Sequence, residues 1–380
     1  VQQYRVSSNE IEVERPYIGN NIDATRFDYG LERVRSRSYP AINNLNIESI
    51  EKNRQSLNNT QLWDSRPLLE AYTQQQELRL YYRFWDVDVD RYEVSLRYRQ
   101  IMLAARELDQ ARLLSQAKTW VNEHLTYTHG YGVVISSVNS TTADGLPEYF
   151  VKDIPPQTLT NLEVTRPAIY YGEIGNDFVI VNTKAKEFDY PGQDQNQFTT
   201  YTGTGGVTMD SFWKRVAFAL RFGDLKLLAS EYLTSESRIM FRRTIGERVG
   251  VIAPFLQLDG DPYIVLRDDG SLIWMWDAYT TTSLFPYSEP RPNGVNYIRN
   301  SVKITVDAYD GSITLYQVDP DDSLAATYGK SYPGLLRPAD EMPDDLRRHM
   351  RYPEDLFALQ AQVLSVYNMD DPHMFYNKED

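Results

Sequence analysis

Cysteine is absent from all 380 residues. That absence removes thiol nucleophiles, disulfide frameworks and Cys-bound zinc in one step. It leaves the redox compartment open, because a chain this long can bury enough apolar surface without cross-links. Long apolar runs are missing too. No window approaches the roughly 20 apolar residues of a membrane span, and the best run, Val249 to Leu256, reads as a buried strand or helix end. There is no initiator Met and no charged leader followed by an apolar stretch, so we expect a piece of a longer protein. Positive charge is also short: 39 Lys and Arg stand against 53 Asp and Glu, a net of −14 with a pI near 4.9. A surface this acidic repels phosphate backbones and anionic headgroups, and we expect no nucleic-acid partner.

What is present is globular in composition, 42% hydrophobic and 24% charged, with 28 tyrosines. The length suggests two or three domains at about 150 residues each. We divide the chain into an N-terminal helical segment (1–80), a mixed α/β domain (81–230) and a hairpin-rich domain with C-terminal helices (231–380). The last 80 residues carry seven basic and fifteen acidic side chains, more than half of the charge excess.

The spacing predicts a helix over Pro16 to Leu31 stopped by Gly30, a connector at 34–46, a short helix from Ser49 to Ser56 and another after Asp64 with Pro67 in its first turn. From Tyr81 to Asp90 the period becomes two, which argues strand. Residues 99–107 lean to strand and Ser115 to Leu125 to helix. Val133 to Val138 and Tyr149 to Val151 read as strands. Ala168 to Tyr171 and Phe178 to Thr183 suggest a hairpin around Gly175-Asn176-Asp177. A Gly- and Thr-rich loop at 199–208 leads to a helix from Asp210 to Phe222 ended by Gly223, and 235–249 reads as an Arg-rich helix. Asp268-Asp269-Gly270 and Asp310-Gly311 between alternating apolar runs mark two hairpins. Pro353 opens a final helix through Tyr367. The class is α+β, with mixed helices and mostly antiparallel sheets, hairpin-rich in its C-terminal half.

Asp86, Asp88 and Asp90 alternate with Trp85, Val87 and Val89. On a strand they share one face about 6.5–7 Å apart and repel unless a cation, arginine or water relieves them. They are the candidate metal ligands, with Ca²⁺ as the candidate ion. An EF-hand does not fit, because its sixth position is Arg91 and its twelfth Arg97. Asp259, Asp261, Asp268 and Asp269 form a second acidic group and Asp319, Asp321 and Asp322 a third; such Asp-Gly and Asp-Pro pairs usually form turns. His124 and His129 are five apart with glycines following, so no zinc-binding helix is formed; we expect His129 to make a structural hydrogen bond in a Tyr-rich core. His349 and His373 read as packing or solvent-facing residues. The loop Thr202 to Gly206 lacks the Walker Lys-Ser/Thr and reads as an exposed loop. Trp274, Trp276, Tyr279 and Tyr287 are the candidate ligand or interface aromatics, against a bland reading in which they fill a sheet core.

Several segments together resemble one family. They are ERPYIGNNIDATRFDYGL (14–31), WDVDVDRY (85–92), NEHLTYTHGYG (122–132), YFVKDIPP (149–156), VIVNTKAKEFDYP (179–191), FALRFGD (218–224), IAPFL (252–256) and RYPEDLF (351–357). They are similar, in order along the whole chain, to the large bacterial and archaeal membrane proteins grouped as uncharacterised protein family 0182. The resemblance implies several N-terminal transmembrane helices followed by a large soluble region outside the cytoplasmic membrane, with this chain as that region and its own transmembrane helices as its first partner. It carries over no catalytic residues, since the family has no established activity.

Two readings follow. The preferred one is a non-catalytic extracytoplasmic domain that binds a partner protein, an envelope polymer or another copy of itself. The alternative is a metal-dependent envelope hydrolase of glycans or peptides working through Asp86, Asp88 and Asp90, which requires those carboxylates to meet other acids or His129 in one cleft.

Overall fold

The computed structural model describes residues 10–39, 46–175, 177–192 and 195–378. Its first helix, α1 (Glu10–Asp28), ends where Gly30 takes a left-handed φ of 70°. After two short helical turns (Ile47–Lys52 and Arg54–Leu57), helix α2 (Ser65–Gln76) is capped by Asp64, whose carboxylate accepts from the Arg66 amide at 3.0 Å. Then follow β1 (Asp88–Val94), β2 (Arg97–Ala105), β3 (Val133–Thr141), β4 (Pro147–Lys152) and β5 (Gln157–Thr158). They make a five-stranded antiparallel sheet in sequential order.

Helices α3 (Phe212–Phe222) and α4 (Ile245–Ile252) precede a second sheet of β6 (Gln257–Leu258), β7 (Tyr263–Leu266), β8 (Leu272–Thr282), β9 (Tyr297–Asp307), β10 (Ile313–Gln317) and β11 (Leu336–Pro338). Both Asp-Gly turns close the hairpins they predict, β7–β8 and β9–β10, and the long β8–β9 pairing joins them side by side. Only β10 and β11 run parallel in this sheet. Helix α5 (Glu354–Tyr367) starts directly after Pro353. Among the described residues no helix is long and apolar enough to cross a membrane.

The two sheets share one apolar cluster. Tyr92, Ile101, Leu103, Val133 and Ile135 of the first meet Leu266, Leu272, Trp274, Trp276, Val302 and Ile304 of the second. The opposite face of the first sheet, with Met102, Ala104 and Val134, is covered by Leu68 and Tyr72 of α2. The opposite face of the second, with Ile273 and Met275, is covered by Met342 and Leu346. Both sheets are therefore covered on both sides, which explains the apolar run Leu272 to Trp276 at the start of β8. Helix α1 and α5 clamp the far end of the long strands through Ile22, Tyr29, Leu356 and Leu359.

Local pattern misleads in four places. Ser115 to Leu125 is a 3₁₀ turn (Ser115–Ala117) and a π-turn (Asn122–Thr126), because tertiary partners take its polar groups: Gln110 Nε2 donates to the carbonyls of Glu123 and Tyr127, and His124 Nδ1 lies 2.7 Å from the Phe178 carbonyl. Ala168–Ile169 and Val179–Val181 do not pair with each other but with Gly130–Tyr131 and Arg238–Met240; Asn176 of the proposed turn lies outside the described residues. The Arg-rich helix at 235–249 is instead that strand followed by α4, its arginines spent on backbone carbonyls, Arg238 on Gly205 at 2.6 Å and Arg243 on Tyr170 at 2.8 Å. Within Tyr81 to Asp90, pairing occurs only at Tyr82–Arg83 and again from Asp88. The connector at 34–46 is without regular structure where described, and 40–45 lie outside the described residues.

Candidate functional site

Strand β1 turns its aspartates inward. Asp88, Asp90, Tyr92 and Val94 occupy its buried face, opposite to a solvated acidic strand. The reason lies in β7, which pairs with β8 on one side and leaves its other edge unpaired. The free amides of that edge are satisfied by side chains from β1: Ile264 N donates to Asp88 Oδ2 at 3.1 Å and Leu266 N donates to the Tyr92 hydroxyl at 2.8 Å. A buried edge amide without such a partner is costly, so polar side chains in this position stabilise the sandwich.

The C-terminal segment meets the same strand. Arg351 sits over the Tyr263 ring, its Nη1 3.6 Å from Asp88 Oδ1, and its Nη2 bonds Asp261 Oδ2. His349 Nδ1 lies 2.7 Å from Asp90 Oδ2, and the Arg91 guanidinium donates to the Met350 carbonyl. Two of the segments quoted for the resemblance, WDVDVDRY and RYPEDLF, thus form one structure through Asp88 and Arg351.

Asp86, Asp88, Asp261, Arg351 and Glu354 line a cleft of about 370 Å³ whose rim carries Gln61, Ser65 and Arg66. Burial pushes the Asp86 carboxyl up to about 7, and the nearby charge of Asp261 adds to the shift against the pull of Arg351. Burial also pushes Asp88 and Asp261 above the ordinary carboxylate range, Asp88 further raised by Asp86. Asp88 is 3% exposed, and its Oδ1 has no hydrogen-bond partner in the described structure.

Two more carboxyls lie within reach of this charge. Glu107, raised to about 7 by burial, accepts from the amides of Glu173 and Ile174, both at 3.1 Å. That loop passes so close that a Cβ on Gly172 would stand 1.8 Å from Glu107 Oε2 and would push this carboxyl from its place. Glu173 is pushed up to about 11, first by burial and then by the charges of Asp86 and Glu107, and its Oε2 has no hydrogen-bond partner in the described structure. The site is an acidic cleft short of positive charge.

Of the acidic residues picked out from the sequence, Asp86 and Asp88 line this cleft, as does Asp261 of the second group. Asp90 leaves the set, because His349 and the Arg91 amide take its carboxylate. Asp261, Arg351 and Glu354 come from distant segments with no shared pattern. Among the described residues no three His, Cys, Asp or Glu side chains form a group that could hold a metal ion, so the expected calcium ligand set Asp86, Asp88 and Asp90 is not assembled. Other members of the acidic groups make structural bonds: Asp322 caps a helix and accepts from Thr280, Tyr297 and Ser301, Asp259 accepts from the Tyr279 hydroxyl, and Asp269 accepts from Ser271.

The candidate aromatics are mostly core. Trp274 donates to the Tyr171 carbonyl at 2.9 Å and Trp276 to that of Asp259 at 2.8 Å; both are buried, as is Tyr279. Tyr287 alone of the four is exposed. His129 is buried 2.8 Å from Thr128 Oγ1 and 3.4 Å from Asp189, its ring 4.7 Å from that of Tyr170. The loop at 202–206 is held internally, Gly205 N donating to the Tyr201 hydroxyl at 2.7 Å. A larger groove of about 1100 Å³ between the segment after α1 (Tyr29 to Val34), β9 and α5 is mainly apolar, and its Arg33 and Asp319 are paired at 3.0 Å.

A family model described as an uncharacterised protein family (UPF0182) matches residues 1–380. Curated relatives described as UPF0182 proteins include one from Pelotomaculum thermopropionicum, 54% identical over 380 residues, and one from Desulforamulus reducens, 49% identical over 381. One from Sulfurovum sp. is 50% identical over 385 residues. Each match covers 100% of this chain and 41–42% of the relative, so the chain spans about two fifths of the length of these relatives. No solved structure matches.

Proposed function

Because this chain belongs to the uncharacterised protein family UPF0182, we propose that it is the extracytoplasmic, ligand-binding part of a longer membrane protein, and that its acidic cleft takes an organic cation, an ammonium or guanidinium group of an envelope component or partner. The location rests on the resemblance, and the relatives' greater length leaves room for a membrane portion. The binding rests on one observation. Asp88 is buried and lines the cleft, and its Oδ1 makes no hydrogen bond and faces only the Arg351 Nη1 at 3.6 Å, beside Asp86, Asp261 and Glu354.

Carboxyls raised by burial and mutual repulsion gain from any cation that joins them. An ammonium suits this arrangement better than a metal. Asp88 Oδ2 and one oxygen of Asp261 are already engaged, and the remaining acceptors are dispersed around the cleft, as hydrogen bonds to a multi-donor cation require.

A thermal-shift titration with putrescine as the probe tests the binding. Putrescine raises the melting temperature of the native chain, and Asp88→Asn, which keeps the shape but not the charge, abolishes the shift. Stabilisation by calcium and not by putrescine moves the site to the metal-dependent hydrolase instead. Protease accessibility of the region in intact spheroplasts tests the location.

A further inference from the structure

Helix α3 buries one side and leaves the other bare. Phe218 and Phe222 stack towards Phe178 and Phe241, and Ala219 is fully inside, within a cluster that includes Leu125, Ile180 and Ile239. The outer side carries Trp213 and Leu220 at 76% and 77% exposure, Phe212 at the first helical position is 65% exposed, and Leu225 just beyond the helix is 72% exposed. At 100° per residue, Trp213, Ala217 and Leu220 fall within one narrow arc, so these side chains form a stripe rather than scattered points. Lone exposed apolar residues are ordinary; an exposed aromatic and aliphatic stripe along a helix is not.

Charge sets this patch apart from the rest of the molecule. Segment 210–229 holds Lys214, Arg215, Arg221 and Lys226 against Asp210 and Asp224, in a chain of net charge −14. Asp224 is turned inward, bonded by the Trp120 indole at 2.5 Å. Lys214 and Arg221 lie beside the apolar stripe on the helix, Lys214 held to Asp210 at 2.8 Å and Arg221 over the Phe241 ring. A flat helix face with Trp, Phe and Leu at its centre and basic residues at its margin is the pattern of a helix that lies in a lipid headgroup layer. The net charge of the chain predicts repulsion from anionic lipid, and this patch reverses that sign locally.

We infer that the outer face of α3 docks the protein onto an anionic lipid bilayer surface, Phe212, Trp213, Leu220 and Leu225 entering the headgroup layer and Lys214, Arg221 and Lys226 meeting its charge. This inference is independent of the acidic cleft, and either can fail alone.

The absence of cysteine makes the test direct. Leu220→Cys, labelled with an environment-sensitive fluorophore, reports on the face, and Leu284→Cys, at an equally exposed position, is the control. Phosphatidylglycerol–phosphatidylcholine vesicles shift the emission of the label at 220 to the blue and leave the label at 284 unchanged, while phosphatidylcholine vesicles shift neither. Adding Lys214→Glu and Arg221→Glu weakens the binding on the order of tenfold or more. No shift at 220, an equal shift at both sites, or a lipid-independent shift that grows with protein concentration, which marks a second copy as the occupant, overturns the inference.

Discussion

Asp88 and Arg351, 263 positions apart in the chain, face each other across a buried gap of 3.6 Å, Asp88 held from the other side by the Ile264 amide and Arg351 by the Tyr263 ring and Asp261. The pair ties the first sheet, the edge of the second and the entry to α5 into one unit. It also sets the charge of the cleft, because Arg351 is the half-buried cation that faces Asp88 and Asp261 among carboxyls that repel one another.

Removing that cation is therefore costly. Arg351→Ala leaves Asp88 buried and uncompensated, and we expect a loss on the order of 3–5 kcal/mol in unfolding free energy. Asp88→Asn in the same chain restores part of it, so a double-mutant cycle by denaturant melts gives a coupling well outside additivity. Additive losses contradict the pairing.

The raised carboxyls predict a pH dependence of definite sign. Asp86 and Glu107 ionise near pH 7 when folded but near pH 4 when unfolded, so the folded state binds more protons between those values. Their contribution to stability is full below about pH 4 and is lost as pH rises to about 7. The melting temperature of Asp86→Asn relative to the native chain should therefore be higher at pH 8 than at pH 5. A variant with the same offset at both values shows that Asp86 is not perturbed.

Asp322 titrates in the opposite direction. Hydrogen bonds from Ser301, Thr280 and Tyr297 and from two helix amides outweigh its burial and hold its carboxyl below the usual range. Its stabilisation is present above the unfolded pKa and is lost as pH falls through the lower folded one. Asp322→Ala should cost about 2–3 kcal/mol at pH 7 and much less near pH 2, measured by urea melts.

The core makes a simpler prediction. Trp274 fills the interface of the two sheets and satisfies the Tyr171 carbonyl, so Trp274→Ala should cost about 3–5 kcal/mol. Tyr287→Ala, at an exposed position, should change the melting temperature little.

What the residues reveal in order is what chain-local physics controls. The Asp-Gly hairpins, the Gly30 and Gly223 stops and the Pro353 helix start are legible because the turn or cap residue itself imposes the geometry. Residues 115–125 and 235–249 are not, because Gln110, Arg238 and Arg243 reach backbone groups that no local pattern contains. Half of the cleft is legible in the same sense. The run of aspartates points to Asp86 and Asp88, but Asp88 is buried because β7 needs its edge amide satisfied, and Asp261, Arg351 and Glu354 arrive through tertiary structure alone. The face of α3 is visible once burial is known, since its apolar pattern alone runs around the helix.

The most direct test of the cleft is the affinity of the native chain for putrescine measured by calorimetry at pH 5 and pH 8. Binding needs ionised Asp86, Asp88 and Asp261, whose protons are held more tightly than in water. The account predicts tighter binding at pH 8, with protons released on binding at pH 5. Equal affinity at both values, or no binding at either, contradicts it.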